Sequence, residues 1–210
     1  MSRIVALTGA GISVASGLPT FGEDTWRGRP VRQLLTKSFF VRYPEEFYNY
    51  YWEGLTPWQE AQPNAAHLAL AQAGATIITQ NIDGLHQAAG SQDVLELHGN
   101  LRELICEACG TLYAAKDRRV AAGVPHCPVD QQILKPNVVL FEEVPHGFDT
   151  AIELLSGADW LLVIGTSLQV APACYLPEFA RRLRVPVKII NDAAEIEVPR
   201  WLREQRLLPN

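Results

Sequence analysis

Short apolar runs alternate along the chain with stretches whose apolar residues recur at helical spacing. The runs are rich in Val, Ile and Leu, and they occupy residues 3–7, 75–79, 94–97, 137–141, 159–165 and 185–190. Nearly continuous apolar runs are typical of strands in a parallel sheet that is covered on both faces. Residues 63–74 start with Pro63 and Asn64 and end at Gly74, as a helix does, and residues 171–183 look similar. The pattern predicts an α/β fold with a Rossmann-like, doubly wound parallel sheet.

Two stretches interrupt this alternation. Residues 22–62 are rich in aromatic side chains and suggest short helices, and residues 101–135 carry three of the four cysteines. A chain of 210 residues can bury one sizeable core with a small insert. We therefore predict a sheet domain of residues 1–100 and 136–210 with a helical insertion at 22–62, and a small module at 101–135.

Composition and charge remove several classes of partner. The chain is 48% apolar and 20% charged, with a net charge of -5 and no cluster of Lys and Arg. Direct nucleic-acid binding is therefore not expected. No segment approaches the roughly 20 apolar residues of a membrane span, and the first residues do not resemble a secretory signal. We expect a cytoplasmic protein with no membrane partner, and the sequence leaves its oligomeric state open.

A glycine-rich stretch, "TGAGISVASG", follows the first predicted strand and opens a predicted helix. Gly9 and Gly11 would let backbone N–H groups approach a pyrophosphate at the helix N-terminus. The usual dinucleotide fingerprint has a third Gly where Val14 stands, and no acidic residue ends the next strand. A tight turn between strand and helix, without a ligand, is the alternative interpretation.

Polar side chains follow three further predicted strands at the point where each strand ends. The carboxyl ends of parallel strands share one edge of the sheet, where doubly wound folds bind ligands. Capping of a single strand end would explain any one of these clusters, but not why all of them share an edge. The residues are Gln80, Asn81 and Asp83, then Thr166 and Ser167, then Asn191 and Asp192.

The cysteines of residues 101–135 have the spacing of a metal site. Cys106-x-x-Cys109 and Cys127-x-x-Asp130 reproduce a zinc ribbon whose last Cys is replaced by Asp. A carboxylate oxygen is an acceptable zinc ligand, and His126 is an alternative one. A ribbon that has lost its metal, held by packing or by a redox pair of thiols, is the competing interpretation. We expect a structural zinc ion that contributes to folding of this short module.

Several motifs together resemble one family. "GAGIS" with "SGLPTF", "TQNIDGLHQAAG", "LELHGN", "CEACG", "KPNVVLFEE" and "GTSLQVAPA" occur in the order and approximate spacing of bacterial-type sirtuins, NAD-dependent protein-lysine deacylases. The likeness runs from Leu7 to about Asn191. It implies NAD as cofactor, an acyl-lysine protein or peptide as substrate, and release of nicotinamide and O-acyl-ADP-ribose.

The resemblance also implies roles for individual residues. His98 of "LELHGN" corresponds to the family's catalytic base, and an imidazole titrates in the range that such a base needs. A single His without these neighbouring motifs would more simply be interpreted as a buried packing residue. Asn81 is expected to act with His98 in catalysis. The cofactor-binding residues that the resemblance implies are Gly9, Ala10, Gly11, Ser13, Phe21, Gln80, Asn81, Asp83, Gly165, Thr166, Ser167 and Asn191.

The chain also departs from the family pattern. Gly22 replaces an Arg that lies over the cofactor, and Arg27 or Arg29 could supply that charge instead. Glu142 stands where a Gly normally helps the substrate peptide add as a strand. These departures keep two alternatives open: an NAD hydrolase or ADP-ribosyltransferase of the same fold, and a non-catalytic module that binds NAD or ADP-ribose.

The acyl group is a separate question. Family members that remove succinyl or malonyl groups carry a Tyr and, three residues later, an Arg before the helix at 63–74. No Tyr in residues 41–55 has an Arg three positions on. Burying a distal carboxylate without a cation is costly, so we expect a preference for acetyl or other uncharged acyl groups.

Overall fold

A computed structural model describes residues 2–20, 22, 24–119 and 123–208. The chain forms two compact units. The larger unit comprises Met1–Thr20, Ala61–His98 and Pro145–Asn210, and the smaller unit comprises Phe21–Glu60 and Gly99–Val144. Within the described residues, none of the helices has the length and apolar character needed to cross a bilayer.

Strands and helices are numbered along the whole chain. The strands are β1 Ile4–Thr8, β2 Thr25–Trp26, β3 Arg29–Pro30, β4 Thr76–Thr79, β5 Val94–Glu96, β6 Gly99–Ile105, β7 Leu112–Ala114, β8 Lys135–Val138, β9 Trp160–Ile164 and β10 Val187–Ile190. The α-helices are α1 Val31–Leu34, α2 Lys37–Arg42, α3 Pro44–Tyr50, α4 Ala65–Gln72, α5 Leu85–Ala88, α6 Phe148–Leu155, α7 Leu176–Arg182 and α8 Ala194–Glu204. Turns of 3-10 helix occur at Ala10–Ser16, Thr56–Glu60, Ala115–Arg118 and Ala173–Tyr175, and a π turn at Tyr51–Leu55.

The larger unit is built on a five-stranded parallel sheet in the order β10-β9-β1-β4-β5. Side chains of β1 alternate between two apolar cores, because successive residues of a strand point to opposite faces. Ile4 and Ala6 pack in the core that contains residues of α4 and α8, while Val5 and Leu7 pack in the core that contains residues of α6 and α7. The predicted doubly wound sheet, covered on both faces, is confirmed.

The helix predicted at residues 63–74 is α4. Asn64 caps it by accepting a hydrogen bond from the Ala66 N–H at 3.0 Å, and the side chain of His67 accepts from the Asn64 N–H, which completes a capping box. The helix predicted at 171–183 is shorter, because α7 begins only after a 3-10 turn. The stretch after β1 forms a 3-10 turn as well, where an α-helix was predicted.

The smaller unit contains a three-stranded antiparallel sheet in the order β7-β6-β8. The prediction that the run at 137–141 belongs to the parallel sheet is wrong, because part of this run lies in β8 and pairs with β6. Leu134, Val138 and Leu140 are buried within the smaller unit. Val138 and Leu140 of this run are therefore buried in the smaller unit rather than against the parallel sheet.

Candidate active site and metal centre

Two glycines let the ends of β1 and β9 approach each other. The Gly9 N–H donates to the Ile164 carbonyl at 3.0 Å, and the Gly11 N–H donates to the Gly165 carbonyl at 2.8 Å. A Cβ on Gly11 would lie 2.6 Å from Gly165 Cα, and one on Gly9 would lie 2.8 Å from Thr166 Cβ. Close packing thus requires glycine here, and the N–H groups of Gly9 and Gly11 themselves are bonded to carbonyls. That other backbone N–H groups of this stretch approach a pyrophosphate stays a prediction.

Asn81 is fixed by the loop that follows β1. Its Nδ2 donates to the Gly9 carbonyl and to Ser13 Oγ, both at 3.2 Å. Ser13 Oγ in turn donates to Asp83 Oδ2 at 2.8 Å, and the other oxygen of Asp83 accepts from the Leu85 N–H at 2.9 Å. Asn81, Asp83 and Ser13 are buried. Because both amide protons of Asn81 are committed, its side chain is held in one orientation.

The ends of β4, β9 and β10 are joined by polar side chains. Gln80 Nε2 donates to Thr166 Oγ1 at 3.0 Å, and the Thr166 N–H donates to Asn191 Oδ1 at 3.2 Å. Gly165, directly after β9 and before Thr166, has φ +60°, and a Cβ on it would lie 2.2 Å from Ile12 N. Ser167 follows as an exposed residue. The predicted convergence of strand ends at one sheet edge is therefore found.

His98 lies just beyond the end of β5. Its Nδ1 is 2.9 Å from the Gln80 carbonyl oxygen. A carbonyl can only accept, so Nδ1 carries the proton and Nε2 keeps its lone pair. Burial lowers the pKa of His98 below its ordinary value, and the hydrogen bond to Gln80 partly offsets this. The imidazole is therefore neutral at neutral pH, with Nε2 able to accept a proton.

Other polar residues at this edge were not singled out from the sequence. Thr8 and Thr79 end two neighbouring strands, and their side-chain oxygens are 2.8 Å apart. His86 is buried with Nε2 3.0 Å from Thr8 Oγ1. The only signal in the sequence is that a Thr ends both apolar runs.

The departure at Gly22 lies in the smaller unit. Phe21, the predicted cofactor residue beside it, lies outside the described residues. A Cβ added to Gly22 would meet no atom within 4 Å. The two arginines that could replace the missing charge have carboxylate partners: Arg27 Nη2 is 2.7 Å from Glu53, and Arg29 Nε is 2.5 Å from Glu46.

The departure at Glu142 lies in a turn of the smaller unit. The Glu143 N–H donates to the Leu140 carbonyl at 3.1 Å, and Glu142 has φ +79°. Such a turn favours Gly at this position. The Glu142 carboxylate accepts from the N–H of Ser38 at 2.9 Å and from its hydroxyl at 3.0 Å. The side chain is therefore bound at the start of α2, and the backbone keeps the left-handed conformation.

The predicted metal ligands Cys106, Cys109, Cys127 and Asp130 come together in the smaller unit. Their ligand atoms all lie within 4.8 Å of one another. Cys109 Sγ is 3.9 Å from Cys127 Sγ, and Cys106 Sγ is 3.2 Å from Asp130 Oδ2. Tetrahedral zinc with Zn–S of about 2.3 Å and Zn–O of about 2.1 Å places its ligand atoms roughly 3.5–3.8 Å apart. The four residues fit a zinc ion.

The two ligand loops have the same backbone hydrogen bonds. Gly110 N–H donates to the Cys106 carbonyl at 2.8 Å, and Gln131 N–H donates to the Cys127 carbonyl at 2.9 Å. Gly110 and Gln131 both have left-handed backbones, with φ of 73° and 62°. Asp130 thus occupies in the second loop the position of Cys109 in the first. His126, the alternative ligand, instead has Nδ1 2.8 Å from the Val124 carbonyl oxygen.

Comparisons with known proteins identify relatives of the chain by sequence. A sequence profile described as Sir2 family matches residues 9–172. An NAD-dependent protein deacetylase of Sulfolobus acidocaldarius is 41% identical over 198 residues, 89% of this chain and 78% of that protein. An NAD-dependent protein deacylase of Pyrococcus furiosus is 40% identical over 190 residues, 84% of this chain and 76% of that protein.

Solved structures extend the likeness to the fold. The structure of a Sir2 homolog–NAD complex has a TM-score of 0.90 and 31% identity, covering 97% of this chain and 89% of that one. A Sir2 protein bound to a propionylated peptide has a TM-score of 0.85 and 34% identity, covering 98% of this chain and 94% of that one. By sequence and by fold, the chain belongs to the Sir2 family, the sirtuins.

Proposed function

We propose that this chain is an NAD-dependent protein-lysine deacylase that acts on acetyl-lysine. The observation that supports it most is the neutral His98, whose Nδ1 proton is held by the Gln80 carbonyl and whose Nε2 can accept a proton. Relatives named NAD-dependent protein deacetylase or deacylase, about 40% identical, point the same way. Substrate and cofactor are thus an acyl-lysine protein or peptide and NAD.

Each residue of the sheet edge has a part in the proposed reaction. NAD supplies a ribose carbon that the acyl oxygen attacks as nicotinamide leaves. His98 would take the proton of the ribose hydroxyl that attacks the acyl carbon; the lysine amine then leaves, and water supplies the new acyl oxygen, so that the products are the free lysine and O-acyl-ADP-ribose. Asn81 and Asp83 orient the nicotinamide ribose and carboxamide, and Gln80 the ribose. The remaining residues of the proposed NAD site are Gly9, Ala10, Gly11, Ser13, Phe21, Gly165, Thr166, Ser167 and Asn191.

The departure at Gly22 favours a second candidate, an NAD hydrolase or ADP-ribosyltransferase. The Arg that sirtuins usually carry there is absent, and Arg27 and Arg29 are paired with carboxylates. Exposed ion pairs are weak, so the pairing of Arg27 and Arg29 with carboxylates is not evidence for either candidate function.

One assay separates the candidates. The protein is incubated with NAD, with and without an acetyl-lysine peptide, and nicotinamide is measured. The deacylase proposal requires release that depends on the peptide, with deacetylated peptide formed in equal amount. Release without peptide identifies a hydrolase, and binding of NAD without release identifies a non-catalytic module.

We also propose a structural zinc ion held by Cys106, Cys109, Cys127 and Asp130. The matching loops around Cys106 and Cys127 support it, because they bring four ligand atoms within 4.8 Å of one another. Zinc would link two loops of a small unit and so add to its folding free energy.

A further inference from the structure

The peptide bond between Gln80 and Asn81 is hydrogen-bonded on both sides. Its carbonyl oxygen accepts from His98 Nδ1 at 2.9 Å, and its N–H donates to Thr79 Oγ1 at 3.0 Å. The peptide unit whose carbonyl orients the His98 imidazole is thus itself held by a hydrogen bond to Thr79. A hydrogen-bonded N–H makes the carbonyl of the same peptide a better acceptor, because successive hydrogen bonds polarise one another.

The hydrogen bonds continue from Thr79 into the core of the larger unit. Thr8 Oγ1 donates to Thr79 Oγ1 at 2.8 Å, and Thr8 Oγ1 is 3.0 Å from His86 Nε2. Thr8, Thr79 and His86 are at most 2% exposed, so water does not compete for these bonds. The contact between the two threonines follows from the parallel register of β1 and β4, in which Thr8 faces Thr79.

The hydrogen bond from Thr8 to Thr79 assigns the donor of the next bond in this series. Thr8 has one hydroxyl proton, which goes to Thr79, so the proton between Thr8 and His86 belongs to His86 Nε2. His86 Nδ1 then carries a lone pair, and it is buried without a partner among the described residues. Burial, followed by the proximity of His67, lowers the pKa of His86 to about 3, which keeps the ring neutral.

We propose that His86, Thr8 and Thr79 are positioning residues that orient His98 through the peptide bond between Gln80 and Asn81. None of the three touches substrate in this proposal. They hold the plane of the Gln80–Asn81 peptide in one orientation. The Gln80 carbonyl then keeps the proton of His98 on Nδ1 and sets the direction in which His98 Nε2 points. The proposal rests on the proposed role of His98 as the base of the deacylase.

The side chain of Asn81 is held separately, by the Gly9 carbonyl and Ser13 Oγ. Loss of the Thr79 hydroxyl therefore affects the orientation of His98 more than the amide of Asn81. Turnover should fall while the KM for NAD stays nearly constant. A general loss of structure would change both.

The test uses Thr79→Val, which keeps the shape of the side chain and removes the hydroxyl. Thr79→Ser restores the hydroxyl, and Thr76→Val is the matched control at the start of the same strand. We expect kcat for deacetylation to fall about tenfold in Thr79→Val, as displaced catalytic groups do. The KM for NAD should change less than about twofold. Thr79→Ser should restore most of kcat, and Thr76→Val should resemble the parent.

An NMR titration of the His98 imidazole gives a readout that does not need activity. The bond to Gln80 raises the pKa of His98, so weakening it in Thr79→Val should move this pKa further down. If the parent releases no nicotinamide with peptide, the proposed function fails, yet the titration still tests the positioning chain. In a His98→Ala background, Thr79→Val should have no further effect on residual turnover.

Three results would overturn the proposal. These are an unchanged His98 titration in Thr79→Val, an equal loss in Thr76→Val, and a failure of Thr79→Ser to restore kcat. If Thr79→Val does not fold, Thr8→Val against Thr8→Ser tests the next bond of the chain. The same direction with a smaller loss is expected there, and no loss would contradict the proposal.

Discussion

The sheet edge of the larger unit and the cysteine cluster of the smaller unit are held in opposite ways. At the sheet edge, Asn81, Gln80 and Thr166 have partners within the protein, at 3.0–3.2 Å. In the cluster, three thiols and a carboxylate face one another, with contacts among them of 3.2 and 3.9 Å, although Asp130 Oδ1 also accepts from the Gln132 N–H at 3.0 Å. The side chains of the first arrangement are oriented by hydrogen bonds to one another and to the backbone, whereas the ligand atoms of the second converge as those of a cation site do.

The largest difference should appear when zinc is removed. We expect about one zinc per chain in protein purified without chelator, measured by elemental analysis. Chelation should then abolish amide-exchange protection in β6, β7 and β8, because metal binding contributes to the folding of small modules. Protection in β1, β4 and β9 should remain, since that core does not contain the ligands.

A variant tests the unusual ligand. Asp130→Ala should lower zinc retention well below that of the parent, while Asp117→Ala, an exposed Asp of the same unit, should not. Zinc far below one per chain in the parent would contradict the metal proposal. An unaffected zinc content in Asp130→Ala would assign the fourth ligand to His126 or water.

Acid should weaken the larger unit through two buried histidines. Burial lowers the pKa of His67 to about 4 and, with the proximity of His67, that of His86 to about 3. Unfolded histidine takes up a proton near pH 6.5, so the unfolded chain binds more protons below that pH. Stability should be full above about pH 6.5 and decrease as pH falls towards about 4, by an amount on the order of a few kcal/mol.

Denaturant unfolding at several pH values measures this loss. In His67→Gln the slope of stability against pH between about 4 and 6.5 should shrink, and His146→Gln, at an exposed site, controls for the substitution itself. A slope in His67→Gln equal to that of the parent would show that this residue does not carry the acid sensitivity.

The acyl preference should be the next largest effect. No Tyr of residues 41–55 is followed three positions later by Arg, the pair that the family resemblance implies for succinyl or malonyl groups, so we expect no cation to meet a buried distal carboxylate. On matched peptides we expect deacetylation to exceed desuccinylation in kcat/KM by at least about tenfold, or about 1.4 kcal/mol. Faster desuccinylation than deacetylation would contradict the predicted preference for uncharged acyl groups.

The smallest effect concerns the turn at Glu142. A residue with a side chain at φ +79° is strained by about 1 kcal/mol relative to Gly. Glu142→Gly should therefore be about 1 kcal/mol more stable than Glu142→Ala, since both lose the bonds to Ser38. At Glu45, in helix α3, the order should reverse, because Gly is unfavourable in a helix. Denaturant midpoints of the four variants measure both differences in stability. If Gly is more stable than Ala at both sites, or Ala more stable than Gly at both, the assignment of backbone strain to Glu142 is contradicted.

The sheet edge was largely predictable because parallel strands end at the same edge. Gln80, Thr166 and Asn191 could be placed together from the apolar runs that precede them. The contact of Thr8 with Thr79 could not, because it requires the register of β1 with β4, which are distant in sequence. Similarly, the packing role of Gly11 depends on β9 lying beside β1.

The smaller unit was harder to predict. Local hydrophobicity does not specify which strand an apolar run will join, and so β8 was assigned to the wrong sheet. The Cys spacing predicted the ligand set, which the structure brings together. Its second loop has Gln131 in the left-handed conformation that Gly110 has in the first, and no glycine in the sequence marks this.

Replacement of His98 tests the central claim most directly. His98→Ala should fold, bind NAD with a Kd within about twofold of the parent, and lose roughly 100-fold or more in deacetylation, as removal of a positioned base does. His146→Ala, which changes an exposed histidine, is the matched control and should keep full activity. Unchanged peptide deacetylation in His98→Ala would contradict the assignment of His98 as the base.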